Sequence, residues 1–392
     1  VTPSNPDAPV FALVAGEASG DNLGAALMEA LRARVPAARF VGVAGPRMRA
    51  AGCEVLADSE ELAVMGLTEI LRHLPRLLRL RRRLRAAFVE RRPDVFIGID
   101  APEFNLGLAG QLKASGLRTV QYVSPQVWAW RQGRVQGIGR ACDLVLCLLP
   151  FEPAFYSAHG VAARFVGHPL ADQFPLHPDR GAARAELGLA QDAPVLAILP
   201  GSRLGEVSRL GADFAGAAVW LASHLPGLRF VAPMATARTR ACFEAQWQKA
   251  APGVEVLWLD GRARVAMAAA DAVLVASGTA TLETLLSKRP MVVAYRLGAI
   301  TAQLIRRLGL VKVPYFSQPN LLLGRRAVVE LLQEQVTPAA LGRAVLDLLE
   351  DDSTRGGLEA EFLRVHESLR VGGAARAADA VLELAGMTAV DR

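Results

Sequence analysis

The sequence predicts an α/β protein made of two Rossmann-like parallel-sheet domains that face one another across a cleft, followed by C-terminal helices. Three observations carry this expectation. Short apolar strands alternate with helical segments along most of the chain, a pattern that builds βαβ units and sheets buried on both faces. The alternation breaks near residues 165–182, where "FVGHPLADQFPLHPDRGA" holds three prolines and reads as a linker, and then restarts. The chain has 392 residues, more than one hydrophobic core usually organises. The expected parts are residues 8–168, residues 169–340, and C-terminal helices over 341–392 that pack back on the first domain or on a partner.

In the first part, "VFALVAG" (10–16), "RFVGVAG" (39–45), "DVFIGID" (94–100), "LRTVQYVSP" (117–125) and "DLVLCLLP" (143–150) read as strands. Between the first two, Leu23, Ala26, Leu27, Ala30 and Leu31 recur at helical spacing. In the second part, the strands are "PVLAILPGSR" (194–203), "RFVAPM" (229–234), "VEVLWLD" (254–260), "DAVLVAS" (271–277) and "PMVVAYR" (290–296). Helices are expected near 210–224 and 238–250, and throughout the tail from Pro338.

Composition narrows the classes. Net charge is +6 and the pI about 9.5, which favours anionic partners such as nucleic acid, anionic lipid or phosphorylated substrates, or simply an arginine-rich surface. Cys53, Cys142, Cys147 and Cys242 form no C-x-x-C pair, and the six histidines form no H-x-x-x-H pair. Metal sites therefore have no support, and buried free thiols fit better than disulfides. The N-terminal residues lack the pattern of a signal peptide, and no segment reaches the roughly 18 to 20 apolar residues of a membrane span. The expectation is a cytosolic protein that touches a membrane from outside.

Several residues suggest chemistry. Asp100 ends an apolar strand, where open parallel sheets bind ligands. It reads either as a general base or, with Glu103 three residues on and Pro102 between, as a capping-box acid. Two turns in the second part share one design: strand, small residues, helix. They hold Gly201, Ser202 and Arg203, and Ser277, Gly278, Thr279 and Ala280. Each suits a phosphate on a helix N-terminus, or is merely a tight connection with a Ser or Thr cap. Glu283, one turn into the helix, reads as a ribose ligand or as an acid complementing the helix dipole. The loop "VAGEASGDNLG" (14–24) carries Glu17, Ser19 and Asp21. It is acidic and suits a sugar hydroxyl better than a pyrophosphate. Trp128 and Trp130 read as a core pair or as an aromatic platform.

The tract "GLTEILRHLPRLLRLRRRLRAAF" (66–88) sets Leu67, Ile70, Leu71, Leu74, Leu77 and Leu78 at helical spacing among seven arginines. Pro75 is expected to split it into two helices. It reads as a basic amphipathic segment at an anionic membrane, or as a core-facing helix with a charged outer face. Interleaved aromatics and helix-turn-helix signatures are missing, so nucleic acid is not expected.

Together "ALVAGEASGD", "ELAVMG", "DVFIGIDAPEFN", "YVSPQVWAWR", "GRACDLVLCLLPFE", "FVGHPLAD", "LPGSRLGEV", "ASGTATLE" and "QPNLLLGR" resemble the lipid-A-disaccharide synthase family, in that family's order over about residues 10–330. "SGTATLE" and "FSQPNLL" vary slightly from the family's usual wording. The resemblance implies a GT-B glycosyltransferase of a Gram-negative bacterium, at the cytoplasmic face of the inner membrane. Its donor would be UDP-2,3-diacylglucosamine and its acceptor 2,3-diacylglucosamine 1-phosphate (lipid X). The products would be a β-1,6-linked disaccharide 1-phosphate and UDP, with inversion and without a cofactor or metal. Asp100 would be the base. Gly201, Ser202, Arg203, Ser277, Gly278, Thr279, Ala280, Glu283 and Asn320 would hold UDP. Glu17, Ser19, Asp21 and Trp128 would line the acceptor side. A homodimer is left open. A UDP-sugar 2-epimerase on a similar scaffold, or a non-catalytic UDP-sugar-binding membrane protein, are the competing readings.

Overall fold

The computed structural model describes residues 8–62, 67–130, 132–298 and 314–387, with side chains at 67–73 and 130 left aside. It divides into two compact units, 1–172 with 369–392, and 173–368.

The first unit holds a seven-stranded parallel sheet. Its strands are β1 (Val10–Ala15), β2 (Arg39–Ala44), β3 (Glu54–Asp58), β4 (Val95–Ile99), β5 (Arg118–Tyr122), β6 (Leu144–Cys147) and β7 (Ala163–Phe165), in the order β3-β2-β1-β4-β5-β6-β7. Successive side chains of a strand point to opposite faces. Accordingly Phe11, Leu13 and Ala15 enter one core cluster, while Ala12 and Val14 enter another. Burial on both faces explains why the strand reads as a continuous apolar run rather than an alternating one.

Helix Ala18–Arg34 covers the first face together with helix Gly373–Ala385, which contributes Ala377, Ala378, Val381 and Leu382. The tail is thus divided. Helix Pro338–Glu350 gives Leu341, Val345 and Leu346 to the core of the second unit, whereas the last helix belongs to the first. The return is anchored by Asp172, whose carboxylate accepts the N–H groups of Gly372 at 3.3 Å and Gly373 at 3.0 Å. The stretch expected as a plain linker contains helix Pro169–Gln173, and the division between the units falls within it.

The opposite face is covered by helix Leu67–Arg91, with Leu80, Leu84 and Phe88 buried against the sheet. Pro75 does not split this tract, contrary to expectation. It lies inside one continuous helix. Proline's fixed φ suits a helix, and the defect reduces to one absent N–H and crowding of the preceding turn. The Pro75 carbonyl accepts Arg79 Nε–H at 3.3 Å.

The second unit repeats the plan with six strands: β8 (Val195–Leu199), β9 (Arg229–Met234), β10 (Leu257–Asp260), β11 (Ala272–Ala276), β12 (Met291–Tyr295) and β13 (Val329–Leu332), ordered β10-β9-β8-β11-β12-β13. In both sheets the order reverses beside the first strand, between β1 and β4 and between β8 and β11. These are the topological switch points, where such sheets take ligands beyond the strands' carboxyl ends. The two-domain α/β expectation and the helical tail are both met.

Candidate active site

In the second unit, the switch point lies between the turn after β8 and the turn after β11, since β8 and β11 are hydrogen-bonded neighbours with Leu199 beside Val275. The first turn leads into helix Leu204–His224 and the second into helix Thr279–Leu286. A cavity of about 290 Å³ opens there. Gly201, Ser202, Arg203, Ser277, Gly278, Thr279, Ala280 and Glu283 all line it. The ninth expected UDP residue, Asn320, does not. It is fully buried, its Oδ1 accepts the N–H groups of Ala327 at 2.7 Å and Val328 at 2.8 Å, and its Nδ2 donates to the Val328 carbonyl at 3.0 Å. Those bonds tie helix Gln318–Leu323 to the approach of β13.

Gly201 has φ 128, a conformation that only glycine takes readily. A β-carbon there would also stand 2.6 Å from Glu206 Cβ. Glu206 was not foreseen. Its Oε2 accepts the N–H of Ser202 at 3.1 Å and of Arg203 at 3.3 Å. Its position three residues into the helix, after a polar turn, is the sequence signal that would have found it. The Arg203 guanidinium is 85% exposed and stands 3.8 Å from Glu206. Burial pushes the Glu283 carboxyl above the usual range, opposed by Arg264.

In the first unit, the corresponding switch point lies between the loop after β1 and the end of β4. Gly16 is buried so closely there that a β-carbon would meet Ala101 Cβ at 2.9 Å. Glu17, the N-cap of helix Ala18–Arg34, and Ser19, in that helix's first turn, are both exposed. Asp21 is not: it is buried, with Oδ1 accepting the N–H groups of Gly45 at 2.8 Å and Met48 at 3.0 Å, and Oδ2 that of Arg47 at 2.8 Å. It caps helix Pro46–Ala50 instead of facing a sugar, which corrects its expected role. Trp128 is also turned inward. Its Nε1–H donates to the buried Glu152 at 3.0 Å and its ring packs edge-on to Phe151. This is the core reading, not a platform. Trp130 lies outside the described side chains.

Asp100 sits one residue past β4, half-buried, with its own N–H donated to the Tyr122 carbonyl at 2.9 Å. It is not a helix cap. The N-cap of helix Pro102–Lys113 is Ala101, whose methyl side chain makes no capping hydrogen bond. Asp100 (φ 52) and Ala101 (φ 41) are both left-handed, as is Val123 (φ 78) at the end of the neighbouring strand. For non-glycine residues this costs about 1 to 2 kcal/mol each, and for a β-branched valine it is a true outlier. Such strain collects at functional sites. Burial pushes the Asp100 carboxyl above the ordinary carboxylate range; an N–H from Ala101 opposes the shift and the negative Glu103 adds to it. Glu103 itself is exposed and pairs with Arg134 at 3.3 Å.

Of the expected membrane contacts, Leu67, Ile70 and Leu71 lie outside the described side chains. Leu74 is 43% exposed, while Leu77 and Leu78 are half-buried. Arg76, Arg79, Arg82, Arg83 and Arg85 are exposed nearby. No described helix is long and apolar enough to cross a membrane.

Comparison with known proteins bears on the family and the fold. The profile of a family described as lipid-A-disaccharide synthetase matches residues 11–382. The chain is 56% identical to lipid-A-disaccharide synthase of Pseudomonas aeruginosa (strain LESB58) over 374 residues, covering 95% of this chain and 97% of that one. It is 55% identical to the Yersinia pseudotuberculosis enzyme of the same name over 373 residues, covering 95% and 94%. Among solved structures, a Polygonum tinctorium UDP-glucosyltransferase superposes with TM-score 0.62 at 12% identity, covering 99% and 100%. A Neisseria meningitidis UDP-GlcNAc 2-epimerase superposes with TM-score 0.59 at 10% identity, covering 96% and 98%. The last two likenesses are of fold alone, and the fold serves transferase and epimerase equally.

Proposed function

The chain belongs to the lipid-A-disaccharide synthase family, and from that premise we propose that it joins UDP-2,3-diacylglucosamine to lipid X with inversion, yielding a β-1,6-linked disaccharide 1-phosphate and UDP. The acceptor's 6-hydroxyl attacks the donor's anomeric carbon. Asp100 takes the hydroxyl proton as the new C–O bond forms, and the bond to the UDP oxygen breaks. A carboxylate whose affinity for protons is raised by burial is a better base than an exposed one.

The departing diphosphate gathers negative charge. Arg203 and the helix N-termini after β8 and β11 answer it with positive charge and N–H donors. The observation that supports this most is the single cavity lined by eight of the expected nucleotide residues, drawn from two separate turns. Glu283, on the same wall, would accept the ribose hydroxyls.

Both substrates carry acyl chains. The first unit would collect them at an anionic membrane surface, on the cytoplasmic face, with Leu74 and the exposed arginines after it as the contact.

The deciding experiment gives the protein both substrates and looks for the disaccharide by mass spectrometry, with Asp100→Asn alongside. The wild type should form it, and UDP should appear only when lipid X is present. Asp100→Asn should lose about 10²- to 10⁴-fold in rate while binding UDP like wild type. Acceptor-independent UDP release would favour the epimerase reading. A fully active, folded Asp100→Asn would remove the base from the mechanism.

A further inference from the structure

Two buried side-chain amides converge on the backbone that carries Asp100. Gln121, on β5, donates from Nε2 to the carbonyls of Asp100 at 3.1 Å and Val123 at 3.3 Å, with Tyr122 more distant at 3.5 Å. Asn105, on the helix after β4, donates from Nδ2 to the carbonyls of Asp100 at 2.8 Å, Val14 at 3.2 Å and Ile99 at 3.3 Å. Both residues are fully buried.

The pairing is one-sided. Gln121 Oε1 and Asn105 Oδ1 are buried without a hydrogen-bond partner. Buried amides in folded proteins normally satisfy both ends, so an arrangement that uses only the donors needs a reason. The reason lies in what the donors hold. Asp100 and Val123 are two of the left-handed residues at this sheet edge, and the third, Ala101, follows Asp100 directly. A left-handed residue turns its carbonyl away from the strand's ladder, and that carbonyl then needs another donor. The room for both amides comes from Gly98 in β4. A β-carbon there would stand 2.8 Å from Asn105 Cβ and 3.2 Å from Gln121 Oε1.

We propose that Gln121, with Asn105 beside it, is a positioning residue for the reaction: its donors lock the left-handed end of β4 and so set the direction of the Asp100 carboxylate. Gln121 touches neither substrate. It acts only through Asp100, and the proposal rests on the reading of Asp100 as base. A plain core role for the same amides would stabilise the sheet without favouring turnover over binding.

The test is a double-mutant cycle between Gln121→Met, which keeps the chain length but removes the donors, and Asp100→Asn. In the wild-type background, Gln121→Met should lower kcat by about 10- to 100-fold, the scale of a base displaced by roughly an ångström. UDP affinity and both KM values should stay within about twofold, and the acid limb of the pH profile should move with the altered setting of Asp100. In the Asp100→Asn background, the same change should lower the residual rate by less than about twofold, because there is no base left to aim. Equal losses in both backgrounds, or unchanged kcat in the folded variant, would overturn the positioning role. Should Gln121→Met fail to fold, Asn105→Leu carries the same expectations and decides the matter. If Asp100→Asn alone keeps full activity, it is the base assignment that falls.

Discussion

Glu206 lays its Oε2 on the backbone N–H of Ser202, 3.1 Å away, and so occupies a donor expected to hold phosphate. The carboxylate shapes the turn, but it is also a negative charge on the wall of a cavity read as a diphosphate site. Glutamine can cap the same N–H groups, since a capping box takes either residue. Glu206→Gln should therefore keep the turn, remove the repulsion and tighten UDP binding by several-fold in titration calorimetry. Glu206→Ala loses the cap as well and should not tighten it. Weaker binding by Glu206→Gln would mean that the charge supports the site.

Arg203→Ala should act on binding without touching stability. The guanidinium is largely solvent-exposed, and its contact with Glu206 at 3.8 Å is the kind of surface pair that contributes little. The melting temperature should stay where it is. A lost charge-assisted contact to phosphate costs about 1.5 to 3 kcal/mol, so UDP affinity should fall by about 10- to 100-fold, with turnover falling too. EDTA should leave turnover unchanged, because the positive charge offered to the diphosphate is the protein's own. An EDTA-dead enzyme rescued by a divalent cation would contradict that.

The raised Asp100 pKa makes two linked predictions. Its charged form is the active base, so kcat/KM should fall on acidification with a midpoint above that of an ordinary aspartate. For stability the sign is reversed. A carboxyl whose folded pKa lies above its unfolded pKa favours the fold while protonated, and that contribution is lost as pH rises through the folded value. Asp100→Asn, neutral throughout and tolerant of the left-handed backbone, should therefore melt higher than wild type at neutral pH. The gap should close as pH falls below the unfolded value. A variant that melts lower at neutral pH would show the charge to be stabilised after all.

Two leucines of one helix should behave oppositely. Leu74 is exposed, whereas Leu84 is fully buried against the sheet. Leu84→Ala should cost about 2 to 5 kcal/mol and lower the melting temperature. Leu74→Ser should leave melting nearly unchanged yet reduce co-sedimentation with anionic vesicles, and added salt should weaken the binding that remains. Unchanged sedimentation by Leu74→Ser would remove this residue from the membrane contact.

Much of the fold was legible locally. Most interior strands announce themselves as short apolar runs, because both faces of a parallel sheet are buried; β5, with Thr119 and Gln121 buried in it, is the exception. The edge strands β3, β7 and β13 went unseen. Glu54–Asp58 begins and ends on an acid, and Ala163–Phe165 has only three residues with an arginine at its centre, as edges tolerate, so they lack the apolar signal. The nucleotide turns were readable for a similar local reason: small residues between a strand and a helix mean close backbone approach wherever the chain later places them.

By itself, the sequence determined the two α/β units, the family, the acid at the end of β4 and the two small-residue turns. Each is a pattern of neighbours along the chain. Only the tertiary structure decided which polar groups remain free to act. Asp21 looked like a loop acid until Gly45, Arg47 and Met48, at the start of helix Pro46–Ala50, brought three N–H groups to it. The Asn320 oxygen is held by the N–H groups of Ala327 and Val328. Asp100 and Glu103 had the spacing of a cap, but the left-handed turn at Asp100 and Ala101 makes Ala101 the N-cap. A buried polar group must find partners, and those partners come from segments distant in sequence. For that reason one-dimensional spacing could nominate these side chains, while packing determined which were already hydrogen-bonded within the protein.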